Sequence, residues 1–289
     1  MLNISVVIVT FHEDEHILRA CFERLFTTVG VNLEIWIVDN AHRALTKKLV
    51  DELLPQARYI AHDKNMGFAY AVNRAMSQST GDYVLLLNPD TEIQDTSIYA
   101  LSARMEENPD VGIGSCLITY PDGTVQESIR RFPRLTDQIM TLLKLPKMFS
   151  HLQAIDRYMM RDVDIMCTQD VDSIMGACMM IRRKLLETIG LFDERYFIWF
   201  EEVDYCAMAV AAGWKVRHFA DVRITHHKGH MFKKLETLQK QYWIRTSMRK
   251  YFLKHYGFGH WLVLWLLAPI FILCAYVAHI VGRIAKAYV

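Results

Sequence analysis

The sequence has almost no net charge: 33 Lys and Arg stand against 32 Asp and Glu, for +1 overall. That argues against a protein that grips nucleic acid through bulk charge. It has few chain breakers, 13 Gly and 7 Pro in 289 residues, which excludes a fibrous chain. A disordered one is excluded by the 52% hydrophobic content. Its six cysteines, at 21, 116, 167, 178, 206 and 274, never form a C-x-x-C pair. Neither a disulfide framework nor a zinc site is spelled by them, and reduced thiols are expected. The G-x-G-x-x-G fingerprint is missing after the first apolar run, and Gly112-x-Gly114 lacks its third Gly. That argues against a nicotinamide oxidoreductase. A chain of this length suits one large α/β domain or two small ones.

The near-zero charge is a sum of two unlike parts. From Lys228 onward there are ten Lys and Arg and one acid, Glu236, for +9. The preceding 227 residues carry 23 bases and 31 acids, for −8. No charged side chain occurs between Lys254 and Arg283, and within that gap Trp261–Val281 is a 21-residue apolar stretch. This is about the length that crosses a ~30 Å hydrocarbon core. Pro269 and His279 interrupt it, and Pro269 allows a shallow hairpin as an alternative to a span. Lys233, Lys234, Lys240, Arg245, Arg249, Lys250 and Lys254 precede it. A basic helix leading into an apolar one is favoured by anionic lipid. The alternative is a buried core helix behind a solvated basic one. The N-terminus lacks a basic start and runs into Glu13, Asp14 and Glu15, unlike a signal peptide. A cytosolic body attached to a membrane surface is therefore expected.

Along the chain, residues 4–10, 33–39 and 83–88 are continuous apolar runs, as strands buried on both faces require. A short strand fits 58–61. Helical patterns fit 15–28, 43–54 and 68–79. Strands alternating with helices imply a mostly parallel, doubly wound sheet flanked by helices, an α/β fold. Residues 119–172 look irregular and Met-rich. A strand fits 174–181, and helices fit 183–189 and 203–212. Residues 1–118 and 119–230 then divide by function into a nucleotide half and an acceptor half, with 231–289 as the membrane-associated part.

Ligands in such sheets bind beyond the carboxyl ends of the strands. Three polar clusters lie at those ends: Thr10 to Glu13, Asp39-Asn40, and Asn88-Pro89-Asp90. Asp90 beside Asn88 suits a hard cation with oxygen ligands, although N-P-D is also a good turn. Asp39 either accepts hydrogen bonds from a nucleoside or caps the next turn. Residues 196–204 read YFIWFEEVD, with Glu201, Glu202 and Asp204 among Phe197, Trp199 and Phe200. A carboxylate beside aromatic bulk gains proton affinity by desolvation, which suits a general base. The same acids also suit the first turn of a helix. His226 and His227 are candidates for a metal or diphosphate contact. Arg130 and Arg131 either fork onto phosphate or serve as surface charge.

Taken in order, VVIVTFHEDE (6–15), IWIVDN (35–40), KNMGFAYAVNRAM (64–76), LLLNPDTEI (85–93), MGACMMIRR (175–183), FDERYFIWFEEVDYC (192–206) and ITHH (224–227) resemble family 2 inverting glycosyltransferases of the GT-A fold. The resemblance covers about residues 3–230 and is greatest to bacterial rhamnosyltransferases of O-antigen, polysaccharide or cell-wall linker assembly. It implies that Thr10, Phe11 and Glu13 line the base and ribose pocket, that Asp39 holds the nucleobase, and that Asn65 and Gly67 pass near the sugar-nucleotide. Asn88 and Asp90 stand where the family has D-x-D, so Asp90 would bind Mg²⁺ or Mn²⁺, helped by His226. Glu202 takes the place of the catalytic base, with Glu201 as its rival.

Three departures stand out. Asn88 replaces the first D-x-D acid, Glu202 replaces the usual Asp, and Met208 stands where an Arg often follows. That Arg's contact must be absent or supplied elsewhere. The resemblance implies transfer of rhamnose from dTDP-rhamnose to a polyprenyl-diphosphate-linked saccharide at the cytoplasmic face of the inner membrane. A UDP-sugar donor is one alternative. A non-catalytic sugar-nucleotide-binding subunit of an assembly complex is another.

Overall fold

The structure is a computed structural model. It describes the backbone of residues 1–147, 149, 151–227 and 237–287, and the side chains of these except 147, 237, 238 and 278–287. Lys228, Lys233, Lys234 and Glu236 of the basic tail lie outside the described residues, as does the side chain of His279.

Period-two alternation in the apolar strands builds two cores at once. In β1 (Asn3–Thr10), β2 (Asn32–Asp39) and β4 (Tyr83–Leu87) every residue from the middle of the strand onward is buried except the partly exposed Val9. Ile4, Val6 and Ile8 face one core with Ile35, Ile37, Leu85 and Leu87. Val7, Trp36, Val38, Val84 and Leu86 face the other. The first core is closed by α1 (Glu15–Phe26), α2 (Ala44–Leu53) and α4 (Ser97–Glu107), and the second by α3 (Phe68–Met76). Between them run the short β3 (Arg58–Ala61) and β5 (Thr91–Glu92). The result is an α/β fold of three layers, as the alternating pattern predicts.

The sheet holds nine strands in the order β3-β2-β1-β4-β10-β6-β11-β5, with β8 on β11. It includes β6 (Val111–Thr119), a buried apolar strand that the sequence reading passed over because Gly112 and Gly114 break its β-branched character. The second half then departs from expectation. Residues 119–172 are not simply irregular. They hold β7 (Ile129–Arg130), α5 (Leu135–Leu142), α6 (Gln153–Tyr158) and β8 (Gln169–Asp170). These elements are too short to show a period. The single strand expected over 174–181 is two: β9 (Ser173–Ile174), which pairs with β7 in a separate ribbon, and β10 (Cys178–Arg182). The break falls at Met175–Ala177, where Met175 N–H bonds to Ser128 O and Ala177 O accepts from Asn88 N–H. Strand β10 lies antiparallel between β4 and β6. After it come α7 (Arg183–Ile189), α8 (Glu201–Ala211) and β11 (Lys215–His226).

The tail forms α9 (Thr237–Tyr256), α10 (Phe258–Leu266) and α11 (Ala268–Ala287). Among the described residues no single helix is long and apolar enough to cross a membrane. Helix α10 and residues 268–277 of α11 are so together, with a 45° bend between them. The 261–281 segment is therefore broken near Pro269, in line with the bend that this proline allows, and is no single straight helix. Pro269 sits in the first turn of α11, where its missing N–H is harmless. Met248, Tyr251 and Phe252 of α9 bury with Leu264, Phe271, Leu142 and the 196–200 loop residues Tyr196 and Phe200. The basic helix is also not free. Lys250 Nζ bonds to Arg195 O, and Lys254 pairs with Asp204.

Candidate active site

Strands β1, β2, β3, β4, β6 and β11 all run the same way, so their carboxyl ends share one edge. Thr10 ends β1 in register with Asp39 of β2. His226 ends β11 in register with Thr91. The three polar clusters expected at strand ends do converge there.

On the β1–β2 side, Thr10 is fully buried and its Oγ1 has no hydrogen-bond partner. Glu13 is 3% exposed. Its Oε2 accepts from Phe11 N–H at 2.8 Å, and its Oε1 is buried without a partner. Burial pushes this carboxyl up to about 7, with Asp90 adding to the rise and Arg43 opposing it. Two orphaned polar atoms at a strand end fit a polar ligand. Asp39 caps its own turn. Oδ1 accepts from Ala41 N–H at 2.9 Å, and Oδ2 accepts from Arg43 N–H and the Tyr59 hydroxyl, each at 2.8 Å. Asn65 Oδ1 holds Gly67 N–H at 2.9 Å, and Asn40 Nδ2 donates to Gly67 O at 3.0 Å. Gly67 needs to be glycine: its φ is +89°, and a Cβ there would fall 2.5 Å from Phe197 O.

Asp90 and His226 face each other across the sheet edge, Oδ1 to Nε2 at 3.1 Å. Gln126 fixes the imidazole. Its Nε2 donates to His226 O at 2.6 Å, which leaves Oε1 to accept from His226 Nδ1 at 3.0 Å. With Nδ1 donating to Gln126, the ring turns Nε2 toward the Asp90 carboxylate. Asn88 Nδ2 lies 3.4 Å from the same nitrogen. An imidazole nitrogen and a carboxylate aimed at one point suit a cation between them, with the ring oriented from behind. Among the described residues no group of three His, Cys, Asp or Glu is placed to hold a metal. The pair thus supplies two donors and leaves the remaining positions to phosphate oxygens or water, as hard divalent cations accept.

The third part is the entry to α8. Trp199 and Phe200 sit at φ +64° and +71°. This left-handed conformation costs a side-chain-bearing residue roughly 1–2 kcal/mol. The turn sets Glu201 and Glu202 on the first helical positions. Glu201 is 5% exposed and its Oε2 lacks a partner. Burial, then the neighbouring Glu202, hold its proton affinity well above the carboxylate range. Glu202 is partly exposed, and burial raises it while Arg130 opposes the rise. Gly176 approaches it closely, the position of a Cβ there being 3.9 Å from Glu202 Cβ. Arg130 turns inward toward Tyr158 and Glu202 and bonds Ile129 O through Nη1 at 2.6 Å. Arg131 turns out to Asp162 at 2.7 Å. Phe197 links this loop to the nucleotide side, since its carbonyl accepts from Phe68 N–H at 2.7 Å.

Three residues here were not legible in the sequence. Gln126 and Tyr158 come from the stretch read as irregular, and no spacing marks them. Lys254 comes from the tail. Its Nζ lies 2.7 Å from Asp204 Oδ2 and 3.3 Å from Met208 Sδ. A cation from α9 thus stands beside Met208.

Residues 5–190 match the profile of glycosyl transferase family 2. The chain is 27% identical over 242 residues to N-acetylglucosaminyl-diphospho-decaprenol L-rhamnosyltransferase of Mycobacterium tuberculosis, covering 78% of this chain and 76% of that protein. It is 23% identical over 236 residues to rhamnosyltransferase WbbL of Escherichia coli, covering 78% and 85%. Among solved structures, a mannosyltransferase of Pyrobaculum calidifontis in complex with GDP-Man and Mn²⁺ superposes with a TM-score of 0.58 at 16% identity, covering 98% of this chain and 75% of that one. S. aureus TarS in complex with UDP-GlcNAc gives 0.56 at 15%, covering 86% and 65%.

Proposed function

We propose that this chain, which belongs to glycosyl transferase family 2, transfers L-rhamnose from dTDP-rhamnose to a saccharide carried on a polyprenyl diphosphate, with inversion. Its rhamnosyltransferase relatives support the sugar, and the acceptor in the mycobacterial relative's name supports the lipid diphosphate. The observation that carries the reading is geometric. The Asp90–His226 pair, the buried strand-end groups Thr10 and Glu13, and the α8 carboxylates stand along one sheet edge.

In this scheme the acceptor hydroxyl attacks the anomeric carbon from the face opposite the nucleotide. The new C–O bond forms as the bond to the diphosphate breaks. Glu202 takes the hydroxyl proton, because it is partly exposed where Glu201 is buried, and its raised proton affinity suits a base. Arg130 steadies Glu202 as the carboxylate that accepts this proton. Asp90 and His226 would hold Mg²⁺ or Mn²⁺, which when bound neutralises charge on the departing dTDP. Residues 1–118 would bind the donor and 119–230 the acceptor. Residues 231–289, with Trp265, Leu266 and Leu273 exposed, would hold the cleft at the cytoplasmic membrane face.

The test is release of dTDP from dTDP-rhamnose by the purified chain, with N-acetylglucosaminyl-diphospho-polyprenol as acceptor and Mn²⁺ present. Turnover is expected, with UDP-sugars inactive. Turnover with a UDP-sugar alone, or donor binding without transfer to any lipid-linked acceptor, would overturn the reading.

A further inference from the structure

Helix α9 presents two faces with different tasks. Trp243 and Ser247 lie one turn apart and turn to the 196–200 loop. The Trp243 ring stands 4.8 Å from that of Phe197, and the Ser247 hydroxyl donates to Ile198 O at 2.8 Å. Arg245 and Arg249 are also one turn apart, but they line a cavity of about 210 Å³ on another side. Its floor is apolar, built from Leu264 of α10 and Ala268, Phe271 and Ile272 of α11. It lies where the bend between α10 and α11 parts the two helices.

Three observations say what this groove takes. Among the described residues no Asp or Glu lines it, and Arg245 Nη1 is buried with no hydrogen-bond partner there. Burial and the like charge of Arg249 both weaken the hold of Arg245 on its proton. An anion between the two guanidinium groups removes both penalties, and planar guanidinium suits phosphate oxygens. Beyond the groove the outer faces of the same helices stay apolar and exposed, at Ile270, Leu273 and Tyr276. A ligand that joins a multiply charged head to a long apolar tail matches this sequence of surfaces. We propose that Arg245 and Arg249 grip the diphosphate of a polyprenyl-diphosphate acceptor, with its first isoprene units lying over Ala268, Phe271 and Ile272. The proposal rests on the lipid-linked acceptor of the previous section and adds the site. Helix α9 thus carries the groove on one side and holds the 196–200 loop on another.

The probe is farnesyl diphosphate, titrated into the full chain in detergent micelles. Inorganic pyrophosphate and phosphatidylglycerol vesicles serve as comparison ligands. Arg245→Ala with Arg249→Ala is expected to weaken farnesyl diphosphate binding at least about tenfold, as loss of hydrogen bonds to a charged group implies. Arg245→Lys should recover part of it, and dTDP binding should stay unchanged as the measure of an intact fold. Ala268→Trp, which fills the groove, should weaken farnesyl diphosphate far more than pyrophosphate. Wild-type affinity in the double Arg variant overturns this site while leaving the proposed function standing. Variants that lose only vesicle binding also overturn it, since the arginines then read bilayer headgroups. A wild-type chain that binds dTDP but neither farnesyl diphosphate nor a lipid-linked acceptor overturns the acceptor reading itself.

Discussion

Lys254 Nζ sits 2.7 Å from Asp204 Oδ2, joining α9 to α8 across 50 residues of sequence. His255 Nε2 reaches the other oxygen at 2.6 Å, and the Tyr196 hydroxyl stands 3.3 Å from it. Asp204 is 1% exposed, so its charge depends on these partners. Removing one partner of a buried ion pair costs about 3–5 kcal/mol. Since His255 and Tyr196 remain, Lys254→Met is expected at the lower end, about 3 kcal/mol in urea denaturation. Adding Met208→Arg should return more than half of that, because the new guanidinium starts beside the same carboxylate. No recovery in the double variant would show that Lys254 does not stand in for a cation at 208.

Gln126 touches no ligand in the proposed scheme, yet it decides which way His226 points. Gln126→Leu keeps the volume and removes both bonds to His226. Loss of such a supporting bond typically costs 10- to 100-fold in metal affinity or activity. Mn²⁺ affinity, measured by titration in the presence of dTDP, should fall by about that factor, with Tm changing little by comparison. An unchanged Mn²⁺ affinity would remove Gln126, and with it the tautomer argument, from the site.

The two carboxylates of α8 make a paired prediction. Glu202→Gln should lower kcat by about 100- to 10,000-fold, the range for loss of a general base, with dTDP binding intact. Glu201→Gln should leave kcat within about tenfold, because Glu201 is the more buried residue of the two and its burial favours the protonated form. The opposite pattern would move the base to Glu201.

Strands β1, β2 and β4 were legible because they are buried on both faces and write themselves as apolar runs. The strand ends were legible for the same reason, since polar residues after such runs mark the ligand edge. The second half was not. Helices α5 and α6 span only 8 and 6 residues, too short for a helical period to emerge. Strand β9 is two residues long and pairs outside the main sheet, so the register of Ile174 depends on a partner 45 residues earlier at Ile129. Gln126 and Lys254 act through bonds to residues 100 and 50 positions away. Such contacts leave no local pattern. The tail read as basic and apolar, but composition is silent on which bases face lipid and which, like Lys254, face the body.

Glu13 predicts a pH dependence whose sign is opposite to that of a paired carboxylate. Its ordinary value is 4.5 and burial pushes it up to about 7. Between these values the native chain binds the proton more tightly than the unfolded chain. Its contribution to stability is therefore complete below pH 4.5 and is lost as pH rises to 7. Glu13→Gln mimics the protonated form, and its amide can occupy the place of the orphaned Oε1. In metal-free buffer the variant should match wild type near pH 4.5 and exceed it above pH 7, by up to about 3 kcal/mol. Parallel stability curves for the two proteins would mean that Glu13 titrates normally.

Gly67 couples the two halves of the cleft, and one methyl group tests that coupling. Its carbonyl accepts from Asn40, its N–H is held by Asn65, and the next N–H, of Phe68, bonds to Phe197 O. An alanine at φ +89° is strained, and its Cβ would lie 2.5 Å from the Phe197 carbonyl oxygen. That oxygen belongs to backbone already bent through Trp199 and Phe200, so it has little freedom to retreat. The combined strain and overlap should cost about 2–4 kcal/mol of stability. The more telling effect is on the loop. If Phe197 is pushed away, Glu202 moves relative to the donor. Gly67→Ala should then lower kcat as well as stability at temperatures where the variant is fully folded. A variant that is destabilised but keeps wild-type kcat would show that the 196–200 loop holds the carboxylates without help from the nucleotide side.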